Sequence, residues 1–337
     1  MFTWKYTQDI LCANAHKLLD LWHSGQLQAT MQDPHLLLEL YRATDPILTA
    51  LVIVAVFTTS HYILSELTRN YSQVDKAWSI LPGLYAWHFF IHDYLLKNTI
   101  NPRLLIASVL ITLWGIRLTY NFARKGGYAW SGQDYRYPYI LGKIGKIPMA
   151  ILNFTTVAPF QNLLLLLIVT PLYFSNISST DINRMDVIAV VSQLFFLFVE
   201  AVADEQQYVF QTQKYAMLEC VGRSKLKGDY QRGFLSQSGL WKFSRHPNFF
   251  SEMGIWWSIY LFSVATVWEH ASGWDLWLNW TIVGAFTLTM LFQGSTVLTE
   301  WISSEKYVDY QNYQQSVSRF IPWFPKQQNV TPGRKQQ

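Results

Sequence analysis

The sequence predicts an all-α fold, a multi-pass membrane helical bundle of about seven transmembrane helices, and three observations lead there. Charged residues make up only 14% of the 337, where a soluble domain carries about 25%. Hydrophobic residues make up 50% and aromatic residues 16%, gathered into long runs with the charges left between them. Each run is close to the length that crosses roughly 30 Å of hydrocarbon.

Taken in order, residues 1–45 read as one or two short amphipathic helices lying on the membrane surface. Leu11, Leu18, Leu19 and Trp22 recur at helical spacing, and Leu36 to Tyr41 repeats the theme. Asp45-Pro46 marks the break before the first span. No basic start leading into an apolar core and a small-residue cleavage site is present, so no cleaved signal peptide is expected. The spans are placed at about 46–63, 78–96, 104–120, 151–174, 186–203, 249–268 and 276–298. Together, residues 46–326 form the transmembrane domain, and 327–337 are expected to be a disordered polar tail.

Lys and Arg number 19 in the connections 64–77, 121–150, 204–248 and 299–337, and 6 in those on the other side. That bias puts the C-terminus in the cytosol and the N-terminus outside it, in a membrane read as the endoplasmic reticulum. The net charge of +4 then belongs to loops beside lipid headgroups. Basic and aromatic residues do not interleave as a nucleic-acid surface requires. Cys12 and Cys220 fall on opposite sides, which leaves no disulfide and no metal framework. Asn176-Ile177-Ser178, a glycosylation sequon, falls in the lumenal connection 175–185.

Chemistry concentrates in Gly239-Leu240-Trp241-Lys242-Phe243-Ser244-Arg245-His246-Pro247-Asn248-Phe249-Phe250-Ser251-Glu252. Pro247 biases His246 away from helix, so a helix begins near Asn248 and aims free amides at whatever lies in front. Asn248 and Glu252 share one face of it, with Trp256 further along. An acid one turn inside an apolar helix is costly unless something pairs with it. Arg245 and Arg117 are the protein cations that topology offers; a ligand is the alternative. The bland reading of the stretch is a juxtamembrane basic turn with a capping asparagine.

Elsewhere each candidate has two readings. Arg117, with Asn121 one turn later, is either a snorkelling arginine at a span end or part of a site. Asp75 either caps the second span or stands at the mouth of a cavity. Glu200, Asp204 and Glu205 crowd the end of the fifth span, where the helix dipole disfavours acids. They make sense holding Arg245, Arg232 or a ribose hydroxyl, or else as a solvated helix end. The loop 204–248 is basic enough for anionic lipid or for a pyrophosphate, and no Gly-x-Gly-x-x-Gly marks a Rossmann site. Tyr307, Tyr310 and Tyr313 follow the last span every third residue, as an interfacial aromatic belt would.

The stretch Gly-Leu-Trp-x-x-Ser-Arg-His-Pro-Asn-Phe-x-x-Glu resembles the C-terminal signature of the steroid 5-alpha-reductase-like membrane proteins, closest to a branch found in bacteria and fungi. Two further blocks match. One is Glu300, Lys306-Tyr307, Tyr310, Tyr313 and Phe320 to Pro325. The other is Val74-Asp75-x-x-Trp78 with Trp114-x-x-Arg117-Leu118 and Asp134-x-Arg136-Tyr137. Residues 70–326 are covered.

The resemblance implies a membrane enzyme that reduces a carbon–carbon double bond with NADPH. Arg117, Asn121, Asp204, Arg232, Arg245, His246, Asn248, Glu252, Trp256, Lys306 and Tyr307 are then the candidate cofactor residues. Asp75 and Tyr307 are the candidate catalytic ones, and no metal is implied. The glutamate and tyrosine with which the steroid reductases engage a 3-oxo group have no aligned equivalent here. The substrate is therefore left as a lipophilic sterol-, polyprenol- or fatty-enoyl-like molecule. Isoprenylcysteine methyltransferases share an Arg-His-Pro turn, so S-adenosylmethionine chemistry is the alternative, with a non-catalytic lipid-binding protein as the third reading.

Overall fold

The structure is a computed structural model and describes residues 4–177 and 181–326, with the side chains of Trp4, Tyr6, Leu27 and Arg223 outside that description. The expected tail 327–337 and Ser178 of the sequon also lie outside the described residues. All regular structure among the described residues is helical.

Among the described residues five helices are long and apolar enough to cross a membrane: Pro46–Thr68, Pro102–Arg124, Lys146–Ile177, Arg184–Val221 and Ile282–Lys306. Two of the seven expected spans fall short of that description. Leu81–Lys97 has 17 residues, or about 25 Å of helix. Pro247–Val267 is long enough at 21 residues, but Asn248, Ser251, Glu252 and its tryptophans dilute its apolar character.

The N-terminal stretch is three helices, Trp4–His23, Gln26–Gln32 and Pro34–Ala43, rather than one or two. Asp45 ends it and caps the first span by accepting from Ile47 N at 2.9 Å. Arg184–Val221 runs for 38 residues, about 57 Å, and absorbs the first part of what reads in sequence as a basic loop. Glu200 and Asp204 are therefore mid-helix. The dipole argument against acids at a helix end does not apply to them.

The chain divides into two compact units, Met1–Gln193 with Trp256–Thr289, and Leu194–Ile255 with Met290–Gln337. In the first, Gly115 allows a close approach: a Cβ there would stand 2.5 Å from the Ser79 carbonyl oxygen. Trp114 and Trp256, both fully buried, meet edge to face at 4.8 Å. A buried ion pair, Arg103 Nε to Asp186 Oδ1 at 2.6 Å and Nη2 to Oδ2 at 2.8 Å, fixes another corner. The sequon asparagine is not in a loop. Asn176 is buried inside the helix Thr170–Ile177 and donates from Nδ2 to Phe89 O at 3.1 Å.

In the second unit, Phe234, Tyr310, Tyr313 and Val317 form one core. Phe249 packs on Phe292 at 4.7 Å. Burying these rings supplies the main driving force for the unit.

Candidate functional site

The Gly239–Glu252 stretch folds as a 3-10 turn, Gly239–Lys242, followed by the helix that starts at Pro247. Gly239 has φ +58 and its Cα abuts the Gln206 amide, so a side chain there would clash and strain the backbone. Gln206 Oε1 in turn accepts from Leu240 N at 2.9 Å. These contacts hold the turn against the Arg184–Val221 helix.

Between turn and helix, Arg245 and His246 face inward to one carboxylate. Arg245 donates from Nε to Glu300 Oε1 at 2.6 Å and from Nη2 to Glu300 Oε2 at 3.2 Å. Its Nη1 donates to the Gln314 carbonyl at 2.8 Å and to the Val317 carbonyl. His246 Nε2 lies 2.9 Å from Glu300 Oε1, and Gln314 Nε2 donates to Glu300 Oε2 at 3.0 Å. Glu300 is 3% exposed. Burial holds the His246 imidazole below its usual pKa, with Glu300 pulling the other way. Backbone bonds Arg245 N to Ser318 O at 2.8 Å and His246 N to Arg319 O at 3.1 Å tie the motif to the closing segment.

The cation that sequence reasoning offered to Glu252 or to a phosphate is thus engaged by Glu300 and two carbonyls. Glu300 is legible as the acid that interrupts an apolar run, which is the signal that finds it. Asn248 and Glu252 sit at the start of the helix. Glu252 is buried, and Asn248 Oδ1 is shielded from solvent without a hydrogen-bond partner.

The tyrosine stripe is not a belt. The helix ends at Lys306 and restarts at Tyr310, so the three rings do not share one helix. Tyr310 and Tyr313 are buried against Phe234, and Tyr313 OH donates to Trp241 O at 2.5 Å. Burial raises the Tyr313 phenol well above its usual pKa. Tyr307 is half-buried beside Gly233 and Phe234, with the exposed Lys306 ammonium 5.3 Å from its ring centre.

Arg232 approaches Asp229 at 3.7 Å and donates to Ser236 Oγ at 3.4 Å, on a half-exposed turn. Asp204 is buried. Sequence reasoning overlooked an open groove of about 380 Å³ lined by Glu205, Gln206, Phe210, Gln213, Tyr230 and Gly239. Its aromatic wall is the Phe210–Tyr230 stack at 5.2 Å.

The first unit gathers the remaining block. Asp75 lies in a short helix, Gln73–Ala77, and does not cap the long helix that begins at Leu81. Its neighbours are Ser72, Asp134 and Arg136. Arg136 donates from Nε and Nη2 to Asp134 at 2.8 and 2.9 Å, and Asp134 N donates to Ser72 Oγ at 2.8 Å. Burial and the Asp134 charge push the Asp75 carboxyl up to about 6, partly offset by Arg136. Asp75 Oδ2 is buried without a hydrogen-bond partner. Arg117 is half-buried in Pro102–Arg124, and the buried Asn121 accepts from Arg124 Nε at 3.1 Å. Trp256 is buried against Trp114 in this unit. The structure therefore brings Asp75, Asp134, Arg136 and Tyr137 together in one unit, and Arg245, His246, Asn248 and Glu252 together in the other. Among the described residues no group of His, Cys, Asp or Glu has the arrangement of a metal site.

The model of a family described as "Protein of unknown function (DUF1295)" matches residues 61–317, more than half the chain. The chain belongs to the DUF1295 family. The match takes in Asp75, the Arg245–Glu252 block and Glu300, and leaves out the N-terminal helices. An uncharacterized protein of Schizosaccharomyces pombe is 35% identical over 290 residues, covering 84% of this chain and 82% of that protein. No solved structure matches.

Proposed function

We propose that this DUF1295 chain is a membrane reductase of the steroid 5-alpha-reductase-like kind, using NADPH to saturate a carbon–carbon double bond in a lipophilic substrate. The observation that carries the reading is the pair at the start of Pro247–Val267: a buried Glu252 one turn after Asn248, whose shielded Oδ1 has no donor. Asn248 Oδ1 accepts a hydrogen bond of the kind a nicotinamide NH₂ offers, and Glu252 lies on the same helix face. When bound, NADPH supplies the hydride.

The chain's own residues divide the remaining work. Asn248 and Glu252 would orient the carboxamide, and holding a reacting ring in place is a recognised source of rate. Arg245 and His246 set the position of that helix start through Glu300. Arg232, Lys306 and Tyr307 are the candidates left for phosphate and ribose. Within the first unit, Asp75 beside Asp134 and Arg136 titrates near neutrality, as a proton donor must.

The experiment is thermal melting of the detergent-solubilised protein with NADPH or S-adenosylmethionine, because a ligand that binds only the folded state raises Tm by mass action. Stabilisation by NADPH alone supports the reductase. Stabilisation by S-adenosylmethionine alone assigns a methyltransferase, and neither assigns a lipid-binding role.

A further inference from the structure

Lys214 is a buried cation, 5% exposed, on the polar second half of Arg184–Val221. Thirty residues of that helix precede it, about 45 Å. It therefore stands past the roughly 30 Å of hydrocarbon, at the level of headgroups and water. Of its three N–H donors, one goes to Gly233 O at 3.2 Å. The ammonium lies 4.8 Å from the Tyr215 ring centre and 5.6 Å from that of Phe210. Such ring contacts offset only part of the cost of burying a charge. Asp229, four residues before Gly233, is engaged elsewhere: it accepts from Ser236 N, Ser236 Oγ and Gln237 N.

A second cation stands beside it. Lys306 is exposed and closes the helix Ile282–Lys306. Gly233 brings the two lysines together. Its φ of +91 and missing side chain let the Tyr307 ring close on it, and a Cβ there would collide with that ring. Lys306 Nζ lies 5.3 Å from the centre of the same ring. One ammonium thus holds the Gly233 carbonyl and the other the ring packed on Gly233, near enough for the Lys306 charge to act on Lys214. Neither lysine pairs with a carboxylate among the described residues. Like charges gathered this way, one of them out of water, are costly unless an anion joins them. Lys214, Gly233, Lys306 and Tyr307 all belong to the second unit.

We propose that Lys214 and Lys306 form a binding site for a phosphate monoester. Two ammoniums match the two negative charges of a monoester, where a phosphodiester carries one. The monoester is either the 2′-phosphate of a dinucleotide or the head of a phosphatidic acid. For the first source the site deepens the reductase reading and rests on it.

The test reads melting shifts of the full chain in detergent, at neutral pH and over a concentration series. NADPH is set against NADH, and phosphatidic acid against phosphatidylglycerol. In at least one pair the monoester should bind about tenfold or more tightly than its partner, the scale of one charge-assisted hydrogen bond. That preference should vanish in Lys214→Met and in Lys306→Met, and persist in Lys227→Met, which removes an exposed lysine outside the pair. Lys306→Met alters an exposed side chain and keeps the test decisive should Lys214→Met fail to fold. No preference in either pair overturns the proposal. So does a preference kept in Lys306→Met, or one lost equally in Lys227→Met, which would assign it to the general charge of the loop. The pair in which the preference vanishes names the source. Equal shifts from NADPH and NADH with no lipid preference discard the phosphate site alone. A lipid preference lost in the lysine variants, with no shift from either dinucleotide, discards the reductase reading alone.

Discussion

Glu300 gathers Arg245, His246 and Gln314 in a space closed to solvent. Removing one member of a buried ion pair leaves an uncompensated charge and costs roughly 3–5 kcal/mol. Glu300→Ala and Arg245→Ala should therefore each lower Tm markedly, while the double variant loses less than the sum. Arg245→Ala should also weaken NADPH and NADH alike, since its donors go to Glu300 and to carbonyls; a selective loss of NADPH in titrations would place Arg245 on the 2′-phosphate instead. Glu252→Gln separates two roles of another acid. Clamping a carboxamide predicts a nearly unchanged apo melting temperature and a collapsed NADPH shift, whereas neutralising a buried cation predicts the reverse. Asp75 gives a pH signature. Its folded pKa, about 6, lies above the ordinary aspartate value, so the folded state binds more protons in the window between. Its contribution to stability is greatest below that window and is lost as pH rises through 6. Asp75→Asn should accordingly raise Tm relative to wild type at pH 7.5 and show no advantage at pH 4, measured on matched samples.

At the scale of elements, the close approach of Gly115 to Ser79 is the feature most sensitive to one methyl group. A Cβ at 2.5 Å from a backbone oxygen cannot be relieved by rotating a side chain. Gly115→Ala should destabilise by about 1–3 kcal/mol, the usual cost of overpacking, and Gly142→Ala, with open space around it, should not. The start of the helix Pro247–Val267 was legible to within a residue or two, because Pro247 announces a first turn. The helix Arg184–Val221 was not. Its second half is polar, and polarity ends a hydropathy run without ending a helix.

For the whole molecule, the number of crossings turns on Leu81–Lys97 and Pro247–Val267, and the first of these is open to a direct test. If that helix spans, Cys12 and residue 131 face opposite sides of the membrane; if it lies within one leaflet, they face the same side. Cys12 is free and exposed, and Ser131 is exposed. Labelling Ser131→Cys and Cys12 with an impermeant maleimide in sealed vesicles, with Cys220→Ser, should mark only one of the two, because the basic residues fall mainly on one side. Labelling of both, or protection of both, would remove Leu81–Lys97 from the spans. The sequence by itself determined that the chain is helical and built for a membrane, where the first span starts, and which motifs carry charge, because hydropathy, proline and capping are properties of short stretches. Only the tertiary structure decided that Arg245 and His246 share Glu300, that Tyr310 and Tyr313 are core, and that Asp75 meets Asp134 and Arg136. Those pairings join residues 54 to 76 positions apart. A buried charge must find a partner, and which partner it finds depends on where the chain returns rather than on its neighbours in sequence.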